Sequence, residues 1–332
     1  MPLWLSEADV TASLDLPTAI GALERVLAAE ARGQAKNMTK THLMVGDNDV
    51  LQAFGGAVAS EGLCGTKTWV NIAGKSQTVL ILFSLEDGSL KAVIEATALG
   101  QIRTAAMTGV GTDWMAAEDA TEMAIIGTGK QSLPQIAAVI AVRPIRRVRI
   151  FSRKAENRAR IVDAVHSTFP GIEAVSAATL EEAVRGAPIV TLCTNATQPF
   201  FGASLGERGM HINAVGAIVP NRAEFTDDVF ARCSAIAVDT IEGVKELSRE
   251  FIDHFGPGRD AWGRVQPISS VIQTGRKRAP GADLTLFKAM GMGIADIAVA
   301  IEVLKGCSTQ GRGTRLPERV RQELPLAARA ET

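Results

Sequence analysis

Residues 123–132, Met123-Ala-Ile-Ile-Gly127-Thr128-Gly129-Lys130-Gln131-Ser132, run from a buried-type strand through a glycine pair into a helix start. Gly127 permits a tight turn, and Gly129 lets the backbone approach a pyrophosphate that the next helix N-terminus can hold. Ser132 stands where a third glycine is usual in such a turn, and it is small enough for close helix–strand packing. Thr128, Lys130 and Gln131 complete the candidate phosphate cradle. The following strand pattern, Arg147-Val-Arg-Ile-Phe151, runs into Ser152-Arg153-Lys154, with no acid before Glu156. A carboxylate at that place bonds the ribose 2′-hydroxyl of NAD, whereas an arginine accommodates the 2′-phosphate of NADP. A hydroxyl, a guanidinium and an ammonium suit the phosphate, so NADP(H) is expected over NAD(H). The plain alternative is a solvated basic loop.

Absences narrow the chemistry further. The 332 residues contain no tyrosine, which excludes any dehydrogenase that uses a Tyr hydroxyl as proton donor. His42, His166, His211 and His254 form no HxxxH or Cys/His cluster, so no protein-held metal is expected. The proton carrier of a hydride-transfer enzyme is then Lys, Asp, Glu or water. A net charge of −1 gives no global reason to expect nucleic-acid or membrane partners. Arg143, Arg146, Arg147 and Arg149 are read as flanking a strand, with alternate side chains in solvent. No basic segment followed by an apolar run opens the chain, and Cys64, Cys193, Cys233 and Cys307 are scattered. A reduced, cytoplasmic protein is the expectation.

These residues need elements to position them. Residues 18–32, entered through Asp15-Leu16-Pro17, read as a helix with Ile20, Leu23, Val26 and Leu27 on one face and Gly33 at its end. Residues 41–96 change to β-rich runs at 42–45, 50–54, 65–70, 78–84 and 90–94, with a hairpin turn at Glu86-Asp87-Gly88-Ser89. A helix over 97–112, rich in Ala, Gly and Thr, must let something approach its backbone. From residue 119 onward, strands at 123–126, 148–151, 172–175, 189–193, 212–215 and 235–239 alternate with helices such as 133–142 and 155–167. That alternation implies a parallel sheet covered on both faces. A last helix is expected over 294–304.

Ile102-Arg103-Thr104-Ala105-Ala106, the glycine turn, His211-Ile-Asn213-Ala-Val-Gly216, and Thr285-Leu-Phe287-Lys288-Ala-Met290-Gly291 with Ala295-Asp296 occur in that order. Together with the opening Leu5-Ser6-Glu7-Ala8-Asp9-Val10, they resemble the ornithine cyclodeaminase/mu-crystallin family over nearly the whole chain. The resemblance implies a Rossmann-type doubly wound parallel sheet, here 119–298, inserted into a discontinuous α+β domain, here 1–118 plus 299–332. The outer domain is expected to bind substrate and to form a homodimer. The implied chemistry is cofactor-dependent hydride transfer at the α-carbon of a small amino acid or its imine, as in ketimine reductases and amino-acid dehydrogenases. Two other readings stay open: a cyclodeaminase that recycles its NAD, and a non-enzymatic ligand binder such as mu-crystallin can be.

On residue type alone, Lys67 is an outward strand lysine and Arg103 a helix residue in an ion pair. The resemblance instead makes Lys67 the active-site lysine and Arg103 the arginine that clamps the substrate carboxylate, which a planar fork suits. It places Asn213 and Gly216 at a strand end facing the cofactor and Met290-Gly291 near the nicotinamide. His211 is read as structural, and Asp296 as equally a capping or a functional residue. Where many members carry a second carboxylate-binding arginine, this chain has Asn37-Met38-Thr39-Lys40-Thr41, so Lys40 takes that place as a point charge. Where cyclising members carry an aspartate, this chain has Ile218, which can neither accept a proton nor pair with an ammonium. Trp69, Asn71 and Ile218 are expected to shape the pocket, with Lys75 reaching toward it. Glu224 and Asp227 lie beyond Pro220 and are expected to point away.

Overall fold

In the computed structural model, which describes residues 1–46, 49–256, 260–320 and 322, the strands gather into two eight-stranded sheets. The first contains β1 (Leu3–Leu5), β2 (Ala35–Asn37), β3 (Thr41–Met44), β4 (Val50–Val58), β5 (Leu63–Ile72), β6 (Lys75–Ser84) and β7 (Leu90–Glu95). The short strand Thr314–Arg315 lies at one edge, followed by β1, β7, β6, β5, β4 and β2, with β3 also on β4. β5 and β6 run past the expected 65–70 and 78–84 because a two-residue turn, Ala73-Gly74, closes them tightly. Both turn residues have positive φ, 50° and 73°, the geometry that matches the twist of paired strands. The polar ends Asn71, Lys75 and Ser76 still form ladder bonds, which apolar patterning does not reveal.

Register sets which side chains share a face. Phe54, Lys67 and Leu80 lie in one row across β4, β5 and β6 and point inward. Leu43, Leu51 and Val70 form a neighbouring row on the opposite face. The inner face is covered by α1 (Glu7–Ser13), α2 (Leu16–Ala31), α3 (Thr97–Met115) and the C-terminal helix Gly293–Gln310. Both carboxylate oxygens of Glu7 accept the free amides at the start of α3, Thr97 N at 2.6 Å and Ala98 N at 2.9 Å. That caps an N-terminus whose own cap residue, Ala96, has no side-chain acceptor.

The expected boundary between 298 and 299 falls inside the C-terminal helix. The helix joins the first sheet as one piece because Ile294, Ile297 and Ile301 are buried in the same cluster as Leu23, Leu27, Leu80 and Leu82. Its first residue, Gly293, lies so close to β4 that a Cβ there would sit 1.9 Å from Gly55 O. The approach brings Asp296 over the strands.

The second sheet contains β8 (Glu122–Ile126), β9 (Arg147–Phe151), β10 (Glu173–Ser176), β11 (Ile189–Leu192), β12 (His211–Ala214), β13 (Cys233–Val238), β14 (Val265–Pro267) and β15 (Leu284–Lys288). All its pairs are parallel, in the order β10-β9-β8-β11-β12-β15-β13-β14, with α4 (Ser132–Val142) and α5 (Ala155–Thr168) among the helices that cover it. The order reverses between β8 and β11, so the crevice beyond their carboxyl ends is the natural ligand site. β14 and β15 were not expected as strands. β15 ends in a lysine, which argues against a buried strand, yet all five of its residues are buried. Among the described residues no helix is long and apolar enough to cross a membrane.

Candidate active site between the two sheets

Lys67, midway along β5, points inward and is 5% exposed, so its ammonium must find partners inside. Nζ donates to Asp296 Oδ1 of the C-terminal helix at 2.5 Å and lies 4.6 Å from the Phe54 ring centroid and 5.1 Å from that of Trp69. Arg103, one and a half turns into α3, donates from Nε to the same Oδ1 at 3.2 Å. One carboxylate oxygen therefore holds a lysine and an arginine from two other elements. Burial draws the Lys67 ammonium down to about 8; Asp296 opposes that shift, while Arg103 and Lys40 add to it. Lys40 lies 5.8 Å from the Trp69 centroid, and burial followed by the Arg103 charge lowers its pKa as well.

The cluster lies behind the wall of a cleft of about 730 Å³ lined by Lys40 and Phe54 on one side and Asp239, Met290 and Gly291 on the other; none of its three residues lines the cleft, but Lys67 meets Phe54 and Arg103 lies beside Gly291. Asp239, at the end of β13, accepts Met290 N and Gly291 N, and burial holds its carboxyl above the usual range. Gly291 has φ +92°, and a Cβ there would meet Arg103 Nη1 at 3.3 Å, so glycine gives the guanidinium room beside the cleft wall. Glu30 lines the outer cleft, where burial pushes its carboxyl up to about 7, with Asp239 and Glu242 adding repulsion.

The glycine turn after β8 fits a dinucleotide. Gly127 has φ +117°, and a Cβ there would strike Cys193 O at 2.2 Å. Gly129 has open space around its missing side chain, and Ser132 Oγ donates back to Gly129 O at 2.7 Å. Gln131 Oε1 is buried without a hydrogen-bond partner among the described residues, beside the exposed Lys130. At the end of β9, Ser152 is half-buried and Arg153 and Lys154 are exposed. Two arginines of α5 brace the region: Arg158 donates to Ser152 O at 2.7 Å and Arg160 to Thr128 O at 2.6 Å.

Not every expected residue reaches the site. Asn213 is fully buried and takes part in a network that joins the sheet to α3. Its Nδ2 donates to Thr112 Oγ1 at 2.9 Å, and its Oδ1 lies 3.1 Å from His211 Nε2. Its side chain serves that joint rather than the crevice. His211 also meets Thr285 Oγ1, and burial lowers its pKa to about 3, so it is neutral and structural. Ile218 packs against the core of the second sheet and does not line the cleft. Asn71 and Lys75 are exposed at the hairpin end, because β5 and β6 continue well beyond the cluster; Trp69 does join it.

Glu224 requires a correction. It does not point away: it is fully buried, and its two oxygens accept Thr194 N, Thr194 Oγ1, Gly216 N and Ala217 N. Lys288 at the end of β15 donates to Ala217 O at 2.6 Å and lies 3.5 Å from Glu250, whose Oε1 accepts Glu224 N. Burial raises the Glu224 pKa while the Lys288 charge lowers it. The turn around Gly216, at the sheet end beside the crevice, is thus clamped from below. This clamp is what sequence reading missed, and Asp296 is the residue it left open between capping and function. The only signal for Asp296 was its place in the C-terminal motif, and the signal for Lys288 was a charge inside an apolar run.

The ornithine cyclodeaminase/mu-crystallin family model matches residues 2–310. The chain is 30% identical over 240 residues to the Delta(1)-pyrroline-2-carboxylate reductase of Bacillus cereus, covering 72% of this chain and 73% of that one. It is 27% identical over 230 residues to the ketimine reductase mu-crystallin of Rattus norvegicus, covering 69% of each. Among solved structures, Thermococcus litoralis Delta(1)-pyrroline-2-carboxylate reductase in complex with NADH and L-proline matches with a TM-score of 0.87 at 24% identity, over 95% of this chain and 100% of that one. An archaeal alanine dehydrogenase dimer with bound NAD matches with a TM-score of 0.87 at 25% identity, over 95% and 99%.

Proposed function

The chain belongs to the ornithine cyclodeaminase/mu-crystallin family, and within it we propose that the protein is an NADPH-dependent reductase of a small 2-imino acid or cyclic imine. The observation that carries this reading is the buried cluster of Lys67, Arg103 and Asp296 directly behind the cleft residues Phe54 and Gly291. The curated relatives named as imine reductases support the same class.

The cofactor supplies a hydride when bound in the crevice beyond β8 and β11. The chain's residues do the rest. Arg103 keeps its terminal nitrogens beside the cleft wall at Gly291 and takes the substrate carboxylate through its planar fork, with Lys40 as a second charge. Lys67, drawn down to about 8, carries a proton at neutral pH that it can give up readily. It would give that proton to the imine nitrogen, and with the hydride that a bound cofactor would supply to the adjacent carbon the C=N bond would become the amine. Phe54 and Trp69 keep water from the ammonium. Ser152, Arg153 and Lys154, with no acid among them, support NADPH over NADH.

The row Leu43, Leu51 and Val70, with Ile72 and Phe83 on the same outward face, leaves an apolar surface on the first sheet. We read that face as the contact of a homodimer, and the four free cysteines as those of a cytoplasmic protein. Light scattering with Leu43→Lys and Leu51→Lys checks the first point: the variant should run as a monomer. The reductase reading is tested with a panel of cyclic imines, and of 2-oxo acids supplied with ammonia or methylamine, followed by NADPH oxidation. Consumption of NADPH stoichiometric with amine formed is expected, and no turnover across the panel overturns the reading.

A further inference from the structure

A second cavity, of about 360 Å³, shares no lining residue with the cleft. It lies between β13, the C-terminal end of α3 and the segment that follows the helix Ile268–Gln273. Its volume falls in the range of pockets that hold small organic molecules. Trp114, Met115, Ile236 and Val271 make an apolar part, and Arg264, Arg276, Lys277 and Arg278 bring four cationic side chains. Among the described residues no aspartate or glutamate lines it.

The carboxylates behind this lining are already engaged. Asp113 takes Arg143 and Lys277, and Asp283 takes Arg232 through both oxygens. Arg278 donates instead to the carbonyls of Met115, Ala282 and Asp283 and to Thr285 Oγ1, neutral groups that fix its plane and leave its charge, opposed only by the shared Asp283. Arg264 is pinned through Nη2 alone, to Phe230 O at 3.2 Å and Cys233 O at 3.0 Å. Its Nε and Nη1 have no partner among the described residues, and neither has the exposed guanidinium of Arg276. Guanidinium groups stay charged, so the cavity presents fixed positive charge and unused donors with no anion of its own to meet them. Trp114 has its indole N–H committed to Glu24 Oε1 at 2.8 Å, which leaves the rest of its ring as apolar surface. We propose that this cavity binds a small aromatic carboxylate, its head on Arg264 and Arg276 and its ring against Trp114 and Val271. A planar fork suits the head, and the apolar lining suits the ring.

Calorimetry on the cofactor-loaded protein with 2-naphthoate, its neutral amide and acetate tests this site independently of the reductase reading. Naphthoate should bind saturably. The amide, which lacks the charge, and acetate, which lacks the ring, should each bind about ten-fold more weakly or worse. Arg276→Glu changes an exposed side chain that holds no other group, and should weaken naphthoate by about ten-fold or more. Lys40→Ala, in the cleft, should leave naphthoate binding unchanged. Loss of binding in Lys40→Ala with none in Arg276→Glu places the anion in the cleft and overturns the proposal. Equal affinities for naphthoate and its amide, or no saturable binding of naphthoate, overturn it as well. If Arg276→Glu does not fold, the comparison of naphthoate with its amide and the Lys40→Ala result decide between the two outcomes.

Discussion

Titrating the reductase activity probes the environment of Lys67 directly. A lysine in water loses its proton near 10.5, and this one does so near 8, a difference of 10.5 − 8, or about 2.5 units. At about 1.4 kcal/mol per unit, the fold disfavours the ammonium by roughly 3 kcal/mol, with burial the largest cause. The active form as proton donor is the ammonium, so kcat/KM should be flat below about 8 and fall about ten-fold per unit above it. Stability moves the other way. Because the folded pKa lies below the unfolded one, the cost of the buried ammonium is fully present below about 8 and is relieved between about 8 and 10.5. Activity and this stability contribution should therefore diverge over the same window, measured by NADPH oxidation and by urea unfolding in the same buffers. The substrate iminium also titrates, and Lys67→Arg separates the two, because guanidinium stays charged throughout. The limb should leave the Lys67→Arg profile, and Lys67→Met should lower kcat by about a hundred-fold or more with NADPH affinity intact. A wild-type limb near 10, or one that persists in Lys67→Arg, refutes the assignment.

Arg153→Ala should weaken NADPH by about ten-fold and leave NADH unchanged, since one charge-assisted contact to an exposed phosphate is worth about 1.5 kcal/mol; equal loss for both cofactors in calorimetry defeats the 2′-phosphate assignment. Arg103→Lys should raise KM for the imino acid about ten-fold or more, because an ammonium cannot hold a carboxylate and Asp296 through one plane; an unchanged KM places the carboxylate elsewhere. Glu224→Gln sets an amide N–H against one of the donors at Thr194 or Gly216 and removes one of the negative charges acting on the buried Lys288. It should cost about 3 kcal/mol in chemical denaturation and loosen cofactor binding, and full stability would show the clamp to be dispensable. With ornithine and catalytic NAD no proline should form, because the position at which cyclising relatives are expected to carry an aspartate is the core residue Ile218, which leaves the distal amine without that carboxylate; steady ammonia release would identify another acid in that role.

The fold was readable wherever periodicity and turn chemistry spoke together. The run from β8 through the glycine turn to α4 falls where the alternation of strand and helix required it, and helix α2 follows its Asp15-Leu-Pro start. Misses occurred where a long-range partner overrides local pattern. β15 reads as an apolar run ending in a charge, and only Ala217 O and Glu250, distant in sequence, make a buried lysine tolerable there. The tight Ala73-Gly74 turn was passed over because polar flanks masked strands that continue into solvent.

The site shows the same division at finer grain. Lys67 and Arg103 carried signals of type and motif, but what gives each its chemistry is a third residue, 229 positions from the lysine and 193 from the arginine. Nothing in the neighbourhood of Asp296 distinguishes it from a first-turn acid on a helix N-terminus, where Asp is favoured anyway. Its role depends on Gly293 meeting Gly55 without a Cβ, since a methyl group there would lift the helix and withdraw the carboxylate from both cations. The chemistry is therefore written partly in residues with no chemistry of their own. Gly55 and Gly293 set the helix height, Gly291 gives Arg103 room, and Gly127 lets the cofactor turn pass Cys193. A reading that searches for titratable side chains finds the lysine and the arginine but not the distance between them, and that distance determines whether Lys67 is a solvated surface charge or a proton donor near neutrality.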